Sequence, residues 1–251
     1  MPSFADDLFL GAAQTYMGIN TNSNLGDPSP MDLGVGPVGR IYVWDTVPAA
    51  KAANNLVTST TPTVAGSLTI TAGAGVTAVT LANGSSAYQL DVPRAVSVAT
   101  ASGTHASANL TVSGYDYYGQ SMSEVIASSA SASTTVNGLK AFFQITGITI
   151  SGGTTGAITV GTTDILGCPV RFNNKGYIAR CGWNDVLAED AATVVDADAT
   201  TATTTTGDVR GTVVPSSACD GSKRLVVAVL LTAIQCGPNA TRAGALGVTQ
   251  A

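Results

Sequence analysis

The side chains of this sequence that could carry out chemistry are few and widely separated. His105 is the single histidine, and it lies in the segment SGTHASA, which is rich in small, turn-forming residues. A catalytic Ser-His-Asp arrangement needs a positioned nucleophile and an orienting carboxylate, and the sequence contains no G-x-S-x-G nucleophile elbow. We therefore expect an exposed turn histidine at position 105, no catalytic residue and no enzymatic activity.

The sequence also predicts no metal and no cofactor. Its acidic pairs lack the glycine and the terminal glutamate of an EF-hand, so we expect solvated loops at Asp6/Asp7, Glu189/Asp190 and Asp196/Asp198. The cysteines have no C-x-x-C spacing and only one histidine to complement them, which argues against zinc at Cys168, Cys181, Cys219 and Cys236. We expect reduced structural cysteines rather than disulfides at these positions, since disulfides are rare in a reducing cytoplasm.

Composition restricts the class of protein. The chain has 251 residues, of which 45% are hydrophobic and 11% charged, with a net charge of −5, so it should fold and present a surface rich in Thr and Ser. Lys and Arg form no cluster, which argues against nucleic acid as a partner. The N-terminus does not resemble a signal peptide, and no apolar run reaches about 18 residues. We expect a protein that is neither exported by the usual route nor inserted in a membrane.

The elements of the central region follow from its periodicity. Apolar residues two positions apart, such as Leu110 and Val112, predict strands with one buried face. Turn-forming residues interrupt these runs about every ten residues, as in a β-sandwich. Tyr115 to Gly119 predicts a hairpin turn in which Gly119 adopts a positive φ. The predicted strands are Ser67–Thr71, Val76–Leu81, Ala87–Val92, Ala95–Ala99, Asn109–Ser113, Met122–Ala127, Lys140–Ile145, Gly147–Ile150 and Ala157–Gly161.

Several motifs resemble those of structural proteins of tailed bacteriophages. They are Asp91-Val92-Pro93-Arg94, the run from Gly114-Tyr115-Asp116 to Glu124, Lys140-Ala141-Phe142, Thr159-Val160-Gly161, and a C-terminal pattern from Thr206 to Val227. The first four lie within about residues 60–165. They consist of strand and turn residues, so they specify a fold better than a function. The resemblance implies an Ig-like β-sandwich on the surface of a virion.

The N-terminal residues 1–39 are predicted to form an extended arm. Ser3 to Leu10 could begin with a turn of helix, and the following segment is dense in Asn, Gly and Pro, which favour extended and turn conformations. A solvated tail would not carry so many large apolar side chains, so we expect the arm to lie on a neighbouring subunit. The side chains predicted to make this contact are Phe4, Leu8, Phe9, Leu10, Tyr16 and Met17.

Residues 40–59 and 164–251 are predicted to form a discontinuous β domain into which the sandwich, residues 60–163, is inserted. Both tryptophans, Trp44 and Trp183, lie outside the sandwich, and large aromatic residues contribute strongly to a core. Asn184 to Val194 has no periodic apolar face and is predicted to be a loop. Arg171, Arg180 and Arg210 are predicted interface residues that form arginine–carboxylate forks; scattered surface charges are the alternative.

These observations predict a non-enzymatic, mostly-β structural protein. The resemblance implies a head decoration or cement protein on the outer surface of a capsid, which contacts the major capsid protein and copies of itself and is assembled in the host cytoplasm. A tail or neck component, and a carbohydrate-binding or adhesin module that recognises host glycans, are the alternatives. Tyr115, Tyr117 and Tyr118 bear on this choice, because clustered exposed aromatic rings favour sugar stacking, whereas buried rings favour packing.

Overall fold

The computed structural model describes residues 7–9, 38–172, 174–184, 186–187, 192–198 and 202–232. The predicted mostly-β, antiparallel fold is confirmed: all strand pairings among these residues are antiparallel, and none of these residues is in an α-helix. In this part of the chain the strands, numbered β1 to β15, are Asp7–Phe9, Val38–Thr46, Val57–Thr60, Gly66–Ser67, Val76–Thr80, Ser86–Thr100, Asn109–Tyr115, Ser121–Ala127, Thr135–Ile150, Ile158–Gly167, Ile178–Trp183, Val186–Leu187, Ala192–Val195, Thr212–Pro215 and Leu225–Thr232. A 3-10 turn, Lys175–Tyr177, precedes β11.

The larger sheet has ten strands and folds back on itself. Its main path is β13-β14-β10-β6-β9-β7-β8, and β3, β4 and β5 pair with β10, β9 and β6, respectively. Leu110 of β7, Met122 of β8 and Val160 of β10 belong to one buried cluster, although β8 and β10 lie far apart along this path. The sheet therefore forms two layers around one apolar core, which is the packing of a β-sandwich.

Two long strands shape this sandwich. β6 has 15 residues and β9 has 16, and each joins two strands that the sequence predicted separately. Their pairing changes register between Gln89 and Arg94, and again between Ala95 and Ser97. Such irregularities let a strand bend and twist more strongly, so one strand can contribute to both layers. The predicted hairpin turn between β7 and β8 is present, with Gly119 at a φ of 80°.

The smaller sheet has five strands in the order β1-β2-β15-β11-β12. Tyr42 and Trp44 of β2 are buried on one face, and so are Val227 and Val229 of β15. The residues between them are half-buried and point to the opposite side, because side chains alternate along a strand. This sheet therefore covers a core with one face only.

A second core lies beneath the smaller sheet and contains both tryptophans. Trp44, Trp183 and Val227 belong to it, together with Phe172 and Val213 from the C-terminal region. Strands of the sandwich also reach it, since its members include Val92 of β6 and Leu166 of β10. Conversely, Leu56 and Val57 belong to the core of the sandwich. The two cores thus share strands, and the predicted domain boundaries stay a prediction.

Two local predictions were wrong. Ser3 to Leu10 was expected to contain a helical turn, but Asp7–Phe9 is a strand that pairs with β2. Residues 184–194 were expected to be a loop, but they include β12 and the beginning of β13. β1 pairs with β2 and β13 pairs with β14, and such pairing between separate segments is not visible in local periodicity.

Candidate functional site

His105 is buried, so the prediction of an exposed histidine was wrong. Its side chain is 6% exposed, and Nε2 lies 2.8 Å from the carbonyl oxygen of Ala101. The ring rests on Gly156, where an added Cβ would approach the ring carbon Cε1 to 2.4 Å. A glycine on a distant loop makes this pocket for the imidazole, which the sequence around His105 does not reveal. Within the described residues no three His, Cys, Asp or Glu side chains come together to hold a metal.

The chemically most unusual feature is a set of buried charged side chains, which we call the ionic junction: Asp116, Glu124, Lys140, Asp208 and Arg210. The Arg210 guanidinium lies 2.7 Å from Oδ2 of Asp116, and the two side chains are only 4% and 3% exposed. The same guanidinium lies 4.8 Å from the centre of the Tyr118 ring. Burial raises the pKa of the Tyr118 hydroxyl to about 12. The pair joins the β7–β8 turn to the segment before β14.

Asp208 ties the same segment to the middle of β9. One carboxylate oxygen accepts a hydrogen bond from the backbone N–H of Ala141, and the other accepts from those of Arg210 and Gly211. Burial raises the pKa of this carboxyl, and the three N–H donors and the Arg210 charge oppose that rise. Gly211 adopts a φ of 100° so that the chain can turn here against the Phe172 ring.

Glu124 and Lys140 complete the junction on the sandwich side. Glu124 accepts hydrogen bonds from the backbone N–H groups of Leu139 and Lys140, while the Lys140 ammonium donates to the carbonyl of Ser123 at 2.8 Å. Burial raises the pKa of Glu124 to about 7 and lowers that of Lys140. Gly138 leaves room for this carboxylate, because a Cβ there would lie 2.5 Å from Oε2.

The ionic junction has the properties of a structural connection. Each of its five charged side chains is less than 10% exposed and has a hydrogen-bonding or ionic partner within the chain. Such side chains fix the relative position of the elements that they join, since a buried charge is tolerated only with its partners in place. The junction therefore holds the sandwich and the second core in one arrangement.

Sequence analysis did not find most of this junction, although one signal was available. Glu124 occupies an inward position of β8, two residues from the buried Met122 and Ile126. A charged residue at an inward position of an apolar alternation predicts a buried partner. Its hydrogen-bond partners, the backbone N–H groups of Leu139 and Lys140, could not be assigned from the sequence, because they lie on a different strand, β9.

A second feature is the side of the smaller sheet opposite the second core, which we call the outer face. Ile41 and Val43 of β2 and Val226 and Ala228 of β15 lie there and are only half-buried. Arg180 of β11 lies opposite Ala228 and is exposed. At the end of β2, Nε of Arg224 donates to Oδ1 of Asp45 at 2.7 Å, and a second guanidinium nitrogen pairs with Oδ2, forming an exposed fork. The outer face thus combines an apolar centre with a charged rim.

The predicted interface residues occupy different environments. Arg180 lies on the outer face, whereas Arg210 is buried in the ionic junction and pairs within the chain. Arg171 is half-buried, and burial lowers the pKa of its guanidinium. Leu8 and Phe9 belong to β1, which pairs with β2 of the smaller sheet. The remaining predicted contacts lie outside the described residues: Phe4, Leu10, Tyr16 and Met17.

The three tyrosines of the β7–β8 hairpin are half-buried. The Tyr117 ring makes edge contacts with Tyr118 at 5.4 Å and with Phe143 at 5.1 Å between ring centres. Together with the Arg210 guanidinium beneath Tyr118, these contacts favour packing over an open stacking platform.

Burial makes Cys168 and Cys219 poor nucleophiles. Cys168, Cys181 and Cys219 are free thiols, and burial raises the pKa of Cys168 and of Cys219 to about 12. A thiol with such a pKa provides almost no thiolate at neutral pH, and the thiolate is the reactive form. Cys236 lies outside the described residues.

Comparison with known proteins gives no relative: no family model matches the chain, and no curated protein or solved structure is significantly similar to it. None of the helical turns in the described residues is long and apolar enough to cross a membrane.

Proposed function

We propose that this chain is a non-enzymatic structural protein of a virion, a decoration or cement protein that attaches to the outer surface of a capsid. Its partners would be the major capsid protein and further copies of itself. The observation that carries the proposal is the outer face, where apolar residues of the central strands β2 and β15 stand half-exposed beside Arg180. An apolar centre with a polar rim is typical of a protein–protein interface.

The area of the outer face supports a shared interface. At roughly 3.3 Å per residue along a strand and 4.8 Å between strands, the five strands present on the order of 450 Å². A stable protein–protein contact needs roughly 800 Å² from each partner. The outer face would supply about half of this area, and other parts of the chain would supply the rest.

The ionic junction supports a structural role as well. A protein that bridges capsid subunits must keep its binding surface in a fixed position relative to the rest of the molecule. Arg210, Asp116 and Asp208 do this by joining the sandwich to the second core. The motifs that resemble tailed-phage proteins supply Asp116, Glu124, Lys140 and Arg210 of this junction.

The proposal is tested by placing a charge at the centre of the outer face. Ala228→Glu introduces a carboxylate that an apolar contact would have to desolvate, so we expect at least tenfold weaker binding to heads that lack this protein. The matched control is Ala78→Glu, at an exposed alanine of β5 in the sandwich. Binding would be measured by co-sedimentation with the heads, and folding by circular dichroism. Equal binding of both variants would contradict attachment through the outer face.

A further inference from the structure

The strand β5 lies at one edge of a layer of the sandwich. This layer contains β5, β6, β9, β7 and β8 in that order, so β5 and β8 are its two edges. In the described part of the chain β6 is the one strand that pairs with β5, and their antiparallel register is unbroken. Thr77, Ala78 and Thr80 are exposed. This edge therefore lies at the surface of the described part of the chain.

Two residues of β5 direct their backbone groups away from β6. Immediately before the strand, the N–H of Asp91 donates to the carbonyl of Gly75 at 3.2 Å. Hydrogen-bonded pairs alternate along antiparallel strands, so the odd-numbered residues of β5 bond to β6, whereas Ala78 and Thr80 point their N–H and C=O groups outward. Among the described residues, no hydrogen bond reaches these outward groups. They can therefore pair with a further strand.

The sequence of β5 lacks the features that usually block a strand edge. Val76–Thr80 reads VTAVT, with no charged residue and no proline, and its pairing with β6 has no bulge. The other edge of the layer is blocked: in β8 the N–H of Val125 donates to the carbonyl of Thr204, and the carbonyl of Ser123 accepts from the Lys140 ammonium, both at 2.8 Å. Of the two edges, β5 is thus the one that can accept a strand.

The distribution of charge favours a second copy of this chain as the source of that strand. The net charge is −5, so two copies repel each other in most orientations. Residues 52–90, which include β5 and its turn to β6, contain no charged side chain. Two copies can therefore meet through β5 without bringing like charges together. In antiparallel orientation an identical strand also offers the same alternation of donors and acceptors.

We infer that two copies of this chain pair through β5, antiparallel and about a two-fold axis at Val79. Ala78 of each copy would exchange N–H to C=O hydrogen bonds with Thr80 of the other, and the two Val79 side chains would lie opposite each other. An axis at Ala78 would instead use the N–H of Val76, which already donates to the carbonyl of Gly73 at 3.1 Å. The paired layers of the two copies would form one continuous sheet.

This contact is small. The five residues of β5 extend over about 17 Å at 3.3 Å per residue. An interface of this size is typical of weak complexes, so we expect association that becomes appreciable at high protein concentration or where copies are held side by side. The inference concerns contact between copies and does not depend on attachment through the outer face, so either proposal can fail without the other.

Val79→Cys tests the pairing by disulfide formation between copies. In a non-hydrogen-bonded antiparallel pair the Cα atoms lie about 4.5 Å apart, within the range that a disulfide spans. Thr149→Cys is the matched control, because Thr149 is exposed but lies where β9 has strand partners on both sides, β4 and β7. The unmodified chain gives the background from its own cysteines. We expect the covalent dimer to form at least tenfold faster in Val79→Cys than in Thr149→Cys at equal concentration.

Ala78→Pro tests the hydrogen bonds between the copies. Because the N–H of Ala78 points away from β6, proline removes the donor for the second copy without removing a hydrogen bond of the sandwich. Ala78→Thr keeps this N–H and is the control. Sedimentation equilibrium should show at least tenfold weaker dimerisation for Ala78→Pro and unchanged dimerisation for Ala78→Thr, with equal circular dichroism. Ala78→Glu also keeps the N–H, so it remains usable as a control for the outer face.

Equal rates of disulfide formation in Val79→Cys and Thr149→Cys would overturn the inference, whether or not Ala78→Pro folds. It would also be overturned if Ala228→Glu abolished association and Ala78→Pro did not, since the copies would then meet through the outer face. Disulfide formation between Val79→Cys and a capsid protein, with none between copies, would assign this edge to a different partner and refute the pairing of copies.

Discussion

The buried pair of Asp116 and Arg210 allows a stringent test of the ionic junction. Asp116→Asn retains an amide oxygen that can accept from the backbone N–H groups of Tyr118 and Gln120, as Oδ1 of the aspartate does at 2.9 Å. The turn geometry should therefore survive. The ion pair with Asp116 is lost, however, and the guanidinium, in a side chain 4% exposed, keeps the nearby charge of Asp208 but not that of Asp116.

The expected loss of stability is large. Removal of one partner of a buried ion pair typically costs about 3–5 kcal/mol, because the remaining charge has been taken out of water without compensation. Single domains are stable by only about 5–15 kcal/mol, so this loss is a substantial fraction of the total. Arg210→Met should cost a similar amount, because the buried Asp116 carboxylate loses its ion pair, although it still accepts from the backbone N–H groups of Tyr118 and Gln120. The double variant should be more stable than the sum of the two single effects predicts, because no buried charge of the pair remains.

Urea unfolding monitored by tryptophan fluorescence and by circular dichroism would measure these differences. The control is the exposed fork of Asp45 and Arg224, whose side chains are 40% and 53% exposed. Asp45→Asn should cost less than about 1 kcal/mol, since water already screens that pair. Should Asp116→Asn cost no more than Asp45→Asn, the junction would not hold the two cores together, and the reasoning would be refuted.

Three further predictions concern single sites. The pKa of Glu124 is raised from 4.5 to about 7 in the folded state, so the stability that this group contributes is full below pH 4.5, declines as the pH rises and is lost above pH 7. The free energy of unfolding, measured from pH 4.5 to 8, should therefore depend less on pH in Glu124→Gln than in the unmodified chain. An unchanged pH profile would contradict the raised pKa of Glu124. Gly211→Ala should lower the melting temperature clearly more than Gly84→Ala. Both glycines have a positive φ, but only at Gly211 would an added Cβ lie 2.5 Å from the Phe172 ring. Equal changes in melting temperature would argue against this contact. His105→Ala should lower the free energy of unfolding by about 1–3 kcal/mol, because it removes a buried ring and the contact of that ring with the Ala101 carbonyl. Thermal unfolding would measure this change. An unchanged stability would indicate that the ring is not packed as described.

The sequence predicts the strands of the sandwich well, because their two-residue periodicity reflects one buried face. Leu110 and Val112 in β7, and Met122 and Ile126 in β8, are buried as their spacing predicts. The lengths of β6 and β9 were not predicted, since breaks in the apolar pattern near Pro93 and Thr146 were interpreted as strand ends. In the folded chain, changes of register within the sheet accommodate the break in β6.

The candidate sites were less accessible to prediction. Arg210 pairs with Asp116, which lies 94 residues earlier in the chain, and Glu124 accepts from the backbone of β9, so the burial of both depends on tertiary packing. Burial of His105 likewise depends on Gly156, some fifty residues later. The outer face could be anticipated only in part: alternation in β2 and β15 predicts two faces, but the sequence does not indicate which of them packs on the second core.

The central proposal, that this chain is a structural component of a capsid surface, is tested most directly by quantitative mass spectrometry of purified virus particles from a culture in which this chain is expressed. The measured quantity is the ratio of this chain to the major capsid protein in the same particles. A decoration protein should be present in a copy number comparable with that of the capsid protein. Absence from the particles would contradict the claim, and a few copies per particle would instead identify a tail or neck component.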